Sequence, residues 1–159
     1  MLNETVLFRS ACLTRFTFAE IKMPKGWTPS TFTGVRVDYA CDFSEGNARA
    51  EPLENHHRFT TFHEIDFPGS FSDQAKDFFG EKNVRMVVMD SFTDMFDAVF
   101  TNRETGAKCL GKYGSFNRSE EFRRLYEIGP RLSLPELEAA YRRFFSKVNR
   151  TYGSVPIVY

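Results

Sequence analysis

Apolar positions along this chain fall into short runs with two different periods. Residues 5–9, Thr-Val-Leu-Phe-Arg, are mostly β-branched or apolar and stop at the small residues Ser10, Ala11 and Cys12. This predicts a short buried strand. Residues 16–23 read as helix or loop. Residues 24–34 are rich in Pro, Gly and Thr and read as loop. From Val35 to Phe43, apolar and polar residues alternate, which predicts a half-exposed strand. Residues 45–57 are polar and read as a surface excursion, and 58–67 read as a further strand stopped by Pro68-Gly69-Ser70.

The second half is more strongly patterned. A helix is expected from Ser70 or Ser72 to Gly80, a C-terminal glycine. Val84 and Met86 to Met89 form a nearly continuous apolar run, as in a central parallel strand buried on both faces. Residues 97–111 read as a hairpin turning near Glu104-Thr105-Gly106, and 118–129 as a short helix. The clearest helix runs over 133–149. Ser133 caps it, Glu136 completes a capping box, Pro135 is tolerated in the first turn, and Leu137, Tyr141, Phe144, Phe145 and Val148 make one apolar stripe. Residues 153–159 open what reads as another buried strand. The order of elements predicts one α/β domain over 1–159, three-layered with a mainly parallel sheet. A core strand at a chain terminus would fray. The natural protein is therefore expected to continue past Tyr159, complete that strand and supply a histidine.

Composition narrows the function classes. Lys plus Arg and Asp plus Glu balance at 21 each, so no global field attracts nucleic acid or an anionic membrane. No apolar run approaches the ~20 residues of a membrane span, and the first ten residues lack a basic leader followed by a long apolar region. Three widely spaced cysteines, Cys12, Cys41 and Cys109, fit neither a disulfide framework nor paired zinc knuckles. Free thiols in a reducing cytoplasm are expected, with no metal and no cofactor. The 18 phenylalanines supply bulky core material, and some can line a groove.

Open parallel sheets bind ligands beyond the carboxyl ends of their strands. Ser10-Ala11-Cys12 and Asp90-Ser91 fall at such ends. Cys12 is either a small buried hydrophobe or a nucleophile whose thiolate is favoured by a helix N-terminus and by Arg15. Asp90, Asp94 and Asp97 share a face if they lie on a helical turn. They then form a solvated acidic face, an N-cap at Asp90, or a group that orients a cation or a base. His56, His57 and His63 read as surface-loop residues, although one of them can act as base to Cys12. Arg118, Arg123, Arg124, Arg142 and Arg143 read as solvated helix faces. Phosphate-binding glycine loops, HExxH and GxSxG are all absent from the sequence.

Two blocks resemble the SGNH (GDSL-like) hydrolase superfamily, in particular its bacterial glycan- and capsule-associated branch. "VLFRSACLTR" is similar to the first strand and nucleophile turn, with Cys12 at the nucleophile position and Arg15 at the following arginine. "VRMVVMDSFTDMFD" is similar to the later buried strand with its acidic, aromatic turn. The chain departs from the pattern at Ser10, Ala11 and Phe16, and the family's Asp-x-x-His block would lie beyond Tyr159. The resemblance implies a flavodoxin/SGNH-like fold and an acyl-ester hydrolase or acyltransferase acting on a glycan or small acylated metabolite. Cys12 and Asp90 would be catalytic, and Ser10, Arg15, Ser91 and Asp94 would contact substrate. The alternative is a degenerate, non-catalytic α/β module that binds carbohydrate or protein.

Overall fold

The computed structural model describes residues 4–10, 22–33, 36–49, 78–112 and 120–159. Strand β1 (Glu4–Ser10) forms where the first apolar run predicts it. Its side chains alternate between the sheet's faces: Leu7 joins the main core, while Val6 and Phe8 join a smaller cluster. Strand β3 (Val84–Met89) divides in the same way, with Val87 and Met89 beside Leu7 and Val88 beside Phe8. Both strands are therefore apolar on two faces, as inner parallel strands require.

Among the described residues, four parallel strands make the sheet, in the order β2-β1-β3-β7, where β2 is Trp27–Thr33 and β7 is Ile157–Val158. Arg9 lies in register with Phe32 on one side and Met89 on the other, and Val88 with Val158. All carboxyl ends share one edge.

The loop expected over 24–34 is corrected by β2. Among the described residues this strand is at the edge and pairs only with β1, so the N–H that Pro29 lacks costs no ladder bond between described strands on that side. Thr28, Thr31 and Thr33 suit extended backbone, and Phe32 is buried. The strand expected from Val35 is likewise corrected to helix α1 (Val37–Ser44). Val37, Ala40 and Cys41 recur at helical spacing and are all buried. Over so few residues both periods fit, and packing decides. The last strand is also shorter and less covered than expected. β7 has two residues, and Ile157 and Val158 are exposed on the edge of the sheet.

Between β3 and β7 the chain makes helix α2 (Phe92–Phe96), strand β4 (Asp97–Asn102), strand β5 (Lys108–Lys112), helix α3 (Glu120–Leu125), strand β6 (Tyr126–Ile128) and helix α4 (Leu134–Tyr152). The predicted hairpin is β4–β5. The Asn102 side chain accepts the N–H groups of Glu104 and Thr105, and Gly106 takes φ +69° to close the turn. The expected helix over 118–129 ends at Leu125 and passes into β6, which pairs with β4. These three antiparallel strands enclose their own core of Ala98, Phe100, Cys109, Phe122 and Tyr126.

Helix α4 buries Ala140, Phe144 and Val148 in the main core with α1, while Leu137, Tyr141 and Phe145 remain partly exposed. Phe144 is fully buried, 5.5 Å from the Phe78 ring and 5.7 Å from the Phe79 ring. Arg143 reaches from α4 to Asp42 at 2.7 Å and also to Glu45, joining the two helices at the surface. The capping box forms as predicted, with the Glu136 carboxylate accepting the Ser133 N–H at 2.8 Å. The predicted strand at 58–67, most of the excursion at 45–57 and the start of the helix expected from Ser70 lie outside the described residues.

Two stability predictions follow from this packing. Phe144→Ala lowers unfolding free energy by about 3–5 kcal/mol in urea titration, through lost burial and a cavity among aromatic rings. The Glu136 carboxyl is held below its ordinary range by hydrogen bonds from the Ser133 hydroxyl and N–H. A depressed carboxyl stabilises the fold above its unfolded pKa of about 4.3, and that contribution is lost as pH falls through the folded value. Urea titrations across that acidic window show a steeper loss for the native chain than for Glu136→Gln.

Candidate functional site

The sheet builds outward from β1 in both directions, to β2 on one side and to β3 and β7 on the other. The carboxyl ends of β1 and β3 therefore flank the point where the connections diverge, the place where an open sheet leaves a crevice. Ser10 ends β1, and Asp90 and Ser91 follow β3. The Asp90 N–H donates to the Arg9 carbonyl at 3.2 Å, which holds the two ends together.

The Asp90 carboxylate accepts the Phe92 N–H at 3.0 Å in an Asx turn that leads into α2, while the N-cap position itself falls on Ser91 rather than on Asp90. The Ser91 hydroxyl sits 3.8 Å from the Met95 sulfur. The rings of Phe92 and Phe96 lie 4.6 Å apart, and both, with Met95, are exposed.

The expected acidic face over Asp90, Asp94 and Asp97 does not form. Asp97 opens β4 and is nearly buried. Asp94 turns into the interior, where its side chain is 0% exposed. It receives an Arg9 guanidinium N–H, the Val37 N–H at 2.9 Å and the Tyr141 hydroxyl at 2.5 Å. Arg9, also buried, donates through Nη1 to the Asp90 carbonyl at 2.9 Å and lies 5.7 Å from the Phe144 ring centre.

Burial pulls the Arg9 guanidinium down, but the charge and hydrogen bond of Asp94 outweigh it, and the net direction is upward. Burial, followed by the Asp94 charge, pushes the Tyr141 hydroxyl up, so it stays a protonated donor. Arg36 is a second buried arginine. It holds Asp38 at 2.6 and 2.8 Å and donates to the Asp97 carbonyl at 3.2 Å.

Beside this network an open cleft of about 490 Å³ is lined by Tyr141, Phe145, Ile157 and Tyr159. The hydroxyls of Tyr141 and Tyr159 are 3.4 Å apart. Tyr141 thus links the cleft to the buried pair.

Of the residues assigned to the site from sequence, Ser10, Asp90 and Ser91 lie at this edge, where the Asp90 N–H meets the carbonyl of Arg9, and Asp94 lies beneath it. Cys12, Ala11, Arg15, His56, His57, His63 and Arg118 lie outside the described residues. Cys41 and Cys109 are buried, and burial pushes the Cys41 thiol up to about 11. Arg123 and Arg124 are exposed, whereas Arg142 and Arg143 engage carboxylates on α4 and α1. Among the described residues no group of three or more His, Cys, Asp or Glu is placed to hold a metal, and no helix is long and apolar enough to cross a membrane.

Sequence reasoning missed Arg9, Tyr141 and Tyr159 as parts of this arrangement. Arg9 carried a signal, because a charge closing an apolar, doubly covered strand must find a buried carboxylate. Tyr141 carried none, since a tyrosine in an apolar stripe reads as core.

Asp94→Ala leaves the Arg9 charge buried without this partner and lowers stability by about 3–5 kcal/mol in denaturant unfolding. In the folded protein at neutral pH, Cys41 resists iodoacetamide and becomes reactive on denaturation, as peptide mapping of the labelled thiols will record.

Searches against family models, curated proteins and solved structures return no match to this chain.

Proposed function

We propose that the chain is an SGNH-like α/β domain, three-layered and flavodoxin-like, that hydrolyses or transfers an acyl group carried by a glycan or small acylated metabolite in the cytoplasm. The observation that carries this reading is the strand order β2-β1-β3-β7. In chain order the parallel strands run 2-1-3-4, the order in which a doubly wound sheet begins, and that order supports a crevice between β1 and β3. Cys12 follows β1 by two residues in sequence, and Asp90 and Ser91 follow β3.

In this mechanism the Cys12 thiolate attacks the acyl carbon, forming a C–S bond as the carbonyl π electrons move onto oxygen. Turn amides stabilise that oxyanion. Collapse expels the alcohol, which takes a proton from a histidine acting as general acid, and water or a second alcohol then releases the acyl group. Asp90 shapes the turn, and Ser10, Arg15 and Ser91 contact substrate. Asp94 does not contact substrate in this mechanism, because its oxygens already accept from Arg9, Val37 and Tyr141.

A second reading, a binding module without chemistry, draws on the exposed Phe92, Met95 and Phe96 beside the same edge. Apolar surface of this kind suits a carbohydrate face or a protein partner.

Chromogenic acyl esters separate the two. The hydrolase reading expects turnover that falls by ~10³-fold or more in Cys12→Ala. It also expects Cys12 to react with iodoacetamide at neutral pH faster than in the denatured chain. Undiminished hydrolysis in Cys12→Ala removes that residue from the mechanism. An inert ester and an unactivated thiol together favour the binding module.

A further inference from the structure

The turn that follows β3 is held from below at two points by one side chain. Arg9 Nη1 donates to the carbonyl of Asp90, at the start of the turn, and Nη2 donates to the carboxylate of Asp94, one helical turn further on. The main chain adds a third link between the same strands, from the Asp90 N–H to the Arg9 carbonyl. Asp94 is in turn fixed by the first N–H of α1 and by the Tyr141 hydroxyl of α4. The guanidinium is planar and presents its donors in a fixed fork, so both contacts specify one geometry of the turn.

We propose that Arg9 is a positioning residue for the carboxyl-edge site. Through Asp90 and Asp94 it sets the placement of the Asp90–Ser91 turn relative to the end of β1. It touches no reacting group itself. The inference rests on the reading of that edge as the site, and it assigns Asp94 to the anchor that supports the site rather than to substrate.

Hydrogen exchange and kinetics on the full chain test this with Arg9→Lys and Asp94→Asn. Lysine keeps the charge but presents its three N–H donors from one nitrogen, so it cannot reproduce the two separated contacts that the planar fork makes to the Asp90 carbonyl and the Asp94 carboxylate. The expected result in both variants is about tenfold or greater loss of protection at the Asp90 and Phe92 amides, with the β4–β5 hairpin amides unchanged. With an active native enzyme, kcat/KM falls by about 10- to 100-fold, because the displaced turn carries the substrate contact Ser91.

Native protection at Asp90 and Phe92 in Arg9→Lys overturns the inference, since a charge alone then suffices. If Arg9→Lys does not fold, Asp94→Asn decides, and unchanged exchange at the turn overturns the inference there as well. An inactive native chain would count against the hydrolase reading alone, because the exchange measurement does not depend on catalysis.

Discussion

The buried ion pair of Arg9 and Asp94 is the constraint around which the elements are arranged. Removing two charges from water costs several kcal/mol per ion, and only close geometry with further hydrogen bonds offsets that. Here the further bonds come from distant parts of the chain. Val37 offers the first N–H of α1, Tyr141 a hydroxyl from α4, and Asp90 a carbonyl from the end of β3. Each such bond fixes where an element starts or turns. The apolar core around Leu7, Val87 and Phe144 supplies most of the burial, but apolar contacts are non-directional. The polar pair supplies direction at the one edge of the sheet where direction matters for a site.

That edge is laid out by topology. A parallel sheet needs long crossover connections, and the connection from β3 to β7 is long enough to contain a second, antiparallel sheet with its own core. The first turn of this connection, from Asp90 to Phe96, belongs to both parts. Its Asp94 side chain reaches under the parallel sheet's edge, and Asp97 starts the antiparallel one. Arg36, bonded to the Asp97 carbonyl, ties the start of α1 to the same junction. Two buried arginines therefore secure the passage between the sheets.

The aromatic surplus divides in a way that bears on function. Phe32, Phe78, Phe100, Phe122 and Phe144 are buried and pack edge to face or tilted against neighbouring rings. Phe92 and Phe96, four residues apart, share the outward face of a helix whose inward face carries Thr93 and Asp94. Their position next to Asp90 and Ser91 gives the edge an apolar rim beside polar main chain.

Local patterning is enough for the elements that admit one reading. These are the doubly apolar β3, the β4–β5 hairpin with its Gly106 turn, and α4 with its Ser133–Glu136 cap. It also located the carboxyl ends of β1 and β3 as the place to look for a site. Tertiary structure decided the segments where two periods fit equally. Val37 to Ser44 alternates well enough for a strand, but α4 offers Val37, Ala40 and Cys41 a helical surface to pack on. Pro29 argues for loop until β2 is seen to be the outer strand of the described sheet, where its missing N–H breaks no central ladder. Only the tertiary structure could turn Asp94 inward. Its spacing from Asp90 and Asp97 suggested a solvated acidic face, while its partners Arg9 and Tyr141 stand 85 and 47 residues away along the chain. A charge's partner is set by three-dimensional distance, and sequence spacing carries that information only within a single helix or strand.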